Sequence, residues 1–270
     1  MAVTYRQLLR ESGLPESEAK ILLEAATARP RAWLLAHADE CADENQIRIA
    51  RKLYARRQAG EPIAYITGER EFYSLELAVT PDVLIPRPET ELLVELAIEL
   101  APNRAGRLID LGTGSGAVAI ALAKHLPDAE VWACDISEAA LNVARLNAQR
   151  HGVAVRFVRS DWLSEAPPGR FDVIVSNPPY IAAGDAHLQQ GDVRFEPRQA
   201  LVGGADGLDC IRAIVAQSVE RLEPGGWLLF EHGYDQAARC RDLLQACGFR
   251  DVASWDDLAG IARVTGGAKP

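Results

Sequence analysis

Asn177-Pro178-Pro179-Tyr180 is the stretch of this 270-residue chain whose residue types are best suited to chemistry. It follows Phe171-Asp172-Val173-Ile174-Val175-Ser176, an apolar run of the kind that forms a buried strand. Neither proline can donate to a sheet ladder, so the strand must stop there. It stops at the carboxyl edge, where open α/β sheets take their ligands. A corner lacking those two N–H groups presents mainly carbonyl oxygens beside the Asn177 side-chain oxygen. Paired acceptors suit a planar NH₂ group, and Tyr180 adds an aromatic face for a flat group to stack on. An ordinary Asn-Pro turn closing a strand has the same local sequence, so the rest of the chain must decide.

A second constellation begins at Arg107-Leu108-Ile109-Asp110-Leu111, a strand running into Gly112-Thr113-Gly114-Ser115-Gly116, with a helix next. Glycines let backbone approach a ligand and leave N–H groups free at the helix start. Asp135 ends the following strand, Val131-Trp132-Ala133-Cys134, where a carboxylate can take both hydroxyls of a ribose. Together these features read as a site for a nucleoside-containing cofactor. Gly112, Gly114 and Ala117 also satisfy the loose dinucleotide pattern, which keeps a nicotinamide dinucleotide open. Asp110 and the Ser160-Asp161-Trp162 stretch tip the balance away from it. Asp161 can accept from an adenine amino group and Trp162 can flank the ring. A helix N-cap and a core tryptophan are their alternative roles.

These residues need a sheet to hold them. From 107 onward strand and helix patterns alternate, implying a mostly parallel sheet covered on both faces. The strands are expected at 107–111, 130–134, 154–158, 171–176 and 226–231, with a terminal pair near 249–254 and 261–265. Helices are expected at 116–126, 137–150, 207–222 and 234–246. Upstream, residues 1–62 read as a helical bundle: Thr4 with Gln7 forms a capping box, Pro15 opens a second helix, 32–37 a third, and Asp43 with Gln46 a fourth. Residues 63–84, from Ala64-Tyr65-Ile66 through Leu75-Glu76-Leu77, read as a β-hairpin linker, and 85–270 as the catalytic domain. Ile85-Pro86-Arg87-Pro88-Glu89-Thr90-Glu91 opens a further helix; acids in a first turn favour its dipole, whereas Arg87 and Thr90 have no such local reason.

Composition narrows the partners. The chain is 48% hydrophobic and 25% charged, ordinary for a soluble globular protein. Residues 1–75 hold 11 basic and 11 acidic side chains, so the net charge of −9 lies wholly beyond them. An acidic catalytic half argues against a nonspecific grip on nucleic acid. The five cysteines are scattered with no CxxC spacing, which reads as reduced thiols in a cytoplasmic protein without a metal site. No run approaches the length a membrane helix requires, and no signal segment opens the chain.

Asp110-Leu111-Gly112-Thr113-Gly114-Ser115-Gly116 resembles motif I of S-adenosylmethionine-dependent methyltransferases, and Asn177-Pro178-Pro179-Tyr180 resembles the motif of those that methylate planar amino or amide nitrogens. More narrowly, the chain resembles the HemK/PrmC family, protein-(glutamine-N5) methyltransferases of class 1 peptide-chain release factors. That match rests on Ile85 to Glu91, Phe195-Glu196-Pro197 with Ala200-Leu201, Gly204 through Leu208, and Glu231-His232-Gly233, and covers nearly the full length. The resemblance implies a seven-stranded class I (Rossmann-like) methyltransferase domain behind a small helical bundle that docks the release factor, acting as a monomer in translation termination. It implies S-adenosylmethionine against Asp110, Gly112, Thr113, Gly114, Ser115, Gly116, Asp135, Ile136, Asp161, Trp162 and Asn177. It also implies the glutamine of a Gly-Gly-Gln loop against Asn177, Pro178, Pro179 and Tyr180, with Arg87, Glu89 and Thr90 nearby.

The chemistry requires no general base. An amide nitrogen is weakly nucleophilic because its lone pair is delocalised; two acceptors on its hydrogens orient it, and water can take the proton it loses after methylation. His232 is the one histidine positioned to challenge that reading, and a hydrogen-bonded structural role is expected for it. Three rivals stay open on the residues: an adenine-N6 methyltransferase of DNA, a non-catalytic translation-factor module, and a nicotinamide enzyme.

Overall fold

The computed structural model describes residues 3–102 and 105–270. The chain folds into two compact units: one runs to Glu69 and takes in Gln189–Phe195, and the other comprises Arg70–Leu188 and Glu196–Pro270.

In the first unit, α1 (Tyr5–Glu11), α2 (Glu16–Thr27), α3 (Arg31–Ala36), α4 (Glu44–Gln58) and α5 (Ile63–Thr67) bury Leu8, Leu22, Leu23, Leu34, Ala50 and Tyr54. Thr4 with Gln7 and Asp43 with Gln46 form complete capping boxes, each satisfying two orphan N–H groups at a helix start. Arg57, late in α4, pairs with Glu18 of α2 and with Asp192, both at 2.8 Å, tying segment 189–195 into this unit. Residues 64–66, expected in an extended hairpin, are helical instead. Three consecutive apolar residues fit either period. Pro62, whose ring fixes φ just ahead of the turn, and Gly68 closing it at φ +80° decide for helix.

The hairpin itself is shorter: β1 (Glu69–Phe72) and β2 (Leu75–Ala78). Tyr73 and Ser74 join them at φ 51° and 60°, the backbone of a two-residue I′ turn. A 3₁₀ turn, Pro88–Thr90, then opens α6 (Glu91–Leu100).

The second unit is built on one large sheet. Its elements are β3 (Ala105–Leu111), α7 (Ala117–His125), β4 (Asp128–Asp135), α8 (Glu138–His151), β5 (Val155–Arg159), β6 (Phe171–Ser176), α9 (Asp209–Arg221), β7 (Leu222–Glu231), α10 (Ala237–Ala246), β8 (Arg250–Asp256) and β9 (Ala262–Ala268). Among the described residues seven strands pair in the order β5-β4-β3-β6-β7-β9-β8. The first five run parallel, and β9 is antiparallel to both its neighbours. Leu108, Val131, Val173 and Leu229 face Leu93, Ile120 and Leu122, whereas Ile109, Ile174, Leu228 and Phe230 face Ile211, Ile214 and Leu244. Burial on both faces is why these strands read as continuous apolar runs.

Register then aligns the motifs. Leu111 is level with both Cys134 and Ser176, and Asp135 with Arg159. The glycine loop, Asp135, the 160–162 stretch and Asn177 therefore leave the sheet along one edge. The chain departs from β3 toward β4 on one side and returns to β6 on the other, which puts the topological switch point between β3 and β6.

Candidate active site

A cleft of about 660 Å³ opens at that switch point, a volume typical of small-molecule sites. The loop Gly112, Thr113, Gly114 and Ser115 lines it together with Asp110, Asp135, Ile136, Asp161 and Trp162; Thr90, Asn177 and Pro179 line the same cleft.

The glycine loop is pinned from below. Asp110 is buried at 2% exposure, and its Oδ2 accepts from Thr113 Oγ1 at 2.7 Å and from the Ala119 amide at 3.3 Å. Burial pushes its carboxyl up to about 7, against the opposing pull of those two donors. Asp135 accepts from the Gly114 amide through Oδ2 and the Ser137 amide through Oδ1, each at 2.9 Å, and burial raises its pKa also. Each carboxylate oxygen keeps a lone pair for a ligand hydroxyl. Gly112 sits at φ +70°, and a Cβ there would lie 3.3 Å from the Trp162 ring. Gly116 does not line the cleft. It stands ahead of α7 at φ +84°, where a Cβ would come within 2.9 Å of Ile120 and 3.1 Å of Ala144, so its smallness lets α7 and α8 approach.

Asn147 is a site residue that the sequence reading misses. Fully buried on α8, it donates from Nδ2 to the carbonyls of Ser115 and Ala78, both at 2.9 Å, and accepts from the Ala78 amide at 2.7 Å. One side chain thereby fastens the glycine loop to β2. A usable signal was present: an asparagine among the apolar positions Ala140, Leu141, Ala144 and Ala148 must bury its amide against partners.

The proline corner is braced by its neighbours. Ser176 donates its hydroxyl to the Leu111 carbonyl at 2.8 Å. The Ile181 amide donates to Leu201 O and the Gly203 amide to Ile181 O, both at 2.9 Å. Gly203 passes so close that a Cβ would fall 2.4 Å from the Pro179 carbonyl. Asn177 donates from Nδ2 to Thr90 Oγ1 at 3.0 Å. Thr90 in turn donates to Glu231 Oε2 at 2.6 Å, and Tyr180 donates its hydroxyl to Glu231 Oε1 at 3.1 Å.

Several expected contacts are not made at the cleft. The Tyr180 ring packs against the apolar core beside β6 and β7 and does not line the cleft, so it offers no stacking face there. Its hydroxyl is drawn inward by Glu231, which outweighs exposure of the ring. Pro178 is buried and also absent from the lining. Arg87 turns to the fully buried carboxylate of Glu196, and Glu89 is exposed in the first turn of its helix, the dipole-favouring place; neither lines the cleft. His232 is wholly buried; its Nδ1 donates to the Gly233 carbonyl and its Nε2 accepts from Thr265, both at 2.8 Å. Burial lowers its pKa, so it stays neutral inside a closed network.

Comparison with known proteins gives this geometry a family. Residues 4–68 match a model described as the PrmC N-terminal domain, and residues 88–194 match one described as the Methyltransferase small domain. A release factor glutamine methyltransferase of Burkholderia pseudomallei is 53% identical over 99% of this chain and 96% of its own length. The chain belongs to the release factor glutamine methyltransferase family. The Escherichia coli member is 45% identical over 95% of this chain and 93% of its own. Among solved structures, a methyltransferase from Pyrococcus furiosus superposes with a TM-score of 0.57 at 21% identity, covering 80% of this chain and 96% of that one. The Thermus thermophilus 16S rRNA N2 G1207 methyltransferase gives 0.56 at 22%, covering 75% and 50%. These neighbours establish the class I methyltransferase fold, and the family membership makes this protein a methyltransferase.

Proposed function

We propose that this protein transfers a methyl group from S-adenosylmethionine to the side-chain amide nitrogen of the glutamine in the Gly-Gly-Gln loop of class 1 peptide-chain release factors. The observation that carries the reading is that Asn177, at the proline corner, opens into the same cleft as the glycine loop and Asp135. The donor set fits the cofactor: Asp135 for the ribose hydroxyls, Asp161, Ile136 and Trp162 around the base, and Gly112 to Ser115 alongside the methionine part. When bound, the cofactor supplies an electrophilic methyl group on a sulfonium.

The chain's own residues then act on the acceptor. Asn177 Oδ1 takes a hydrogen of the glutamine NH₂, which orients the nitrogen and draws density onto it. Alignment of this kind lowers a barrier by about 7–11 kcal/mol, and a preorganised dipole by about 3–4 kcal/mol. Among the described residues no histidine lines the cleft, and the nitrogen's proton passes to water once the methyl group has made it acidic. The acidic charge balance beyond residue 75 favours a protein substrate over nucleic acid. All five cysteines are free thiols, in keeping with work in the cytoplasm. No helix among the described residues is long and apolar enough to cross a membrane.

The test is methyl transfer from radiolabelled S-adenosylmethionine to purified release factor, with a Gly-Gly-Ala factor and duplex DNA alongside. Label on the intact factor alone is expected. Label on DNA moves the enzyme to the nucleic-acid class, and no label with cofactor bound defeats the glutamine assignment.

A further inference from the structure

An asparagine carboxamide is nearly symmetrical in shape, and nothing in its own bonding says which end faces the cleft. If Nδ2 pointed inward, the corner would present a donor to a substrate NH₂ and repel it. Something must hold the amide the right way round.

The partners of Asn177 answer this. Its Nδ2 lies 3.0 Å from Thr90 Oγ1, and that same hydroxyl lies 2.6 Å from Glu231 Oε2. A carboxylate only accepts, so Thr90 must give its single proton to Glu231. Its oxygen is then an acceptor toward Asn177, and only the NH₂ end can satisfy it. Oδ1 is left facing the cleft. The other carboxylate oxygen holds Tyr180 at 3.1 Å, which anchors the residue ending the proline corner. Thr90 precedes α6, Asn177 and Tyr180 follow β6, and Glu231 ends β7, so one buried carboxylate gathers three chain segments.

We infer that Glu231 is a positioning residue for methyl transfer: through Thr90 it sets the polarity of the Asn177 amide, and through Tyr180 it fixes the corner's backbone. The inference rests on the amide-acceptor role proposed above for Asn177. It also makes orientation depend on ionisation, since a protonated carboxyl can donate to Thr90 and free the Thr90 proton to turn toward Asn177 Oδ1. Complete burial raises the Glu231 carboxyl to about 6, while the Thr90 and Tyr180 hydroxyls and the Arg263 guanidinium oppose that rise and Glu89 adds to it. Arg263 is itself paired with Asp257 at 3.1 Å, Arg87 is paired with Glu196, and neighbouring His232 is held neutral.

The experiment uses the full-length enzyme with release factor as substrate, and ¹⁵N labelling of asparagine side chains. The Asn177 resonance is assigned by its loss in Asn177→Ala. Thr90→Val is expected to lower kcat about 100-fold, the cost of a misplaced reacting group, with cofactor Kd and release-factor KM within about threefold. Thr90→Ser, which keeps the hydroxyl, should recover at least about a third of wild-type kcat. In the wild type the Asn177 amide proton shifts and kcat should titrate together near pH 6, and Glu231→Gln should abolish both titrations. An Asn177 resonance indifferent to pH and to Thr90→Val, or a Glu231→Gln enzyme that keeps the pH 6 limb, overturns the inference. The amide titration needs no substrate: a wild type that titrates but leaves release factor unlabelled defeats the proposed function and leaves the positioning standing.

Discussion

Asn177 lines the cleft, and its removal should be felt in turnover. Asn177→Ala is expected to lower kcat by about 10²–10³-fold, the usual cost of deleting one preorganised polar group, with S-adenosylmethionine affinity nearly unchanged by calorimetry. Asp135 is the opposite case, because its carboxylate is committed to the glycine loop and faces the cleft. Asp135→Ala should weaken cofactor binding by about 10–100-fold, corresponding to about 1.5–3 kcal/mol for hydrogen bonds to a charged group. At this scale the sequence was readable where a residue's placement follows from its own stretch of backbone, as with Gly112, Asp135 and Asn177, which all line the cleft. It was not readable for Tyr180 or Arg87. Each turns away from the cleft toward a buried carboxylate, Glu231 or Glu196, distant in sequence. A residue's type shows what it can bind; the competing partner that wins is fixed only in three dimensions.

Among elements, the α7–α8 pair and the glycine loop form one mechanical piece. Gly116→Ala introduces a positive-φ strain and a Cβ into the contact with Ile120 and Ala144, and should cost about 1–3 kcal/mol in denaturant unfolding. Asn147→Ala should cost about 1–3 kcal/mol for each buried group left unpaired at Ser115 and Ala78. It should also weaken cofactor binding, since the Ser115 carbonyl loses its anchor. The parallel sheet and its helices were legible because burial on both faces writes continuous apolar runs into the strands. The short helix α5 was not, since Ala64-Tyr65-Ile66 suits either period and the choice falls to Pro62 and Gly68 at its ends.

For the whole molecule, the buried acids make stability depend on pH in an unusual direction. Asp110 titrates at about 7 when folded and near 3.8 when unfolded. The folded state therefore binds the extra proton, and the stability from this site is full below about pH 4 and lost as pH rises through 7. Asp110→Asn keeps both hydrogen bonds, because Thr113 and Ala119 donate to the same oxygen. It should raise apo-protein stability at pH 8 by about 1–3 kcal/mol, the gain shrinking toward pH 4 in parallel urea titrations. The net charge of −9 implies that duplex DNA should neither compete with release factor nor make the reaction strongly salt-dependent.

The membership of Gln189–Phe195 in the helical unit has a consequence for protein engineering. Asp192 is held by Arg57, and Arg194 donates to the Ala59 carbonyl, so the first unit is discontinuous in sequence. A chimaera that exchanges only the amino-terminal residues between two family members would graft a bundle onto a foreign copy of this seven-residue stretch. Modular swapping of this fold therefore requires two cuts of sequence to travel together, one of them taken from the middle of the chain.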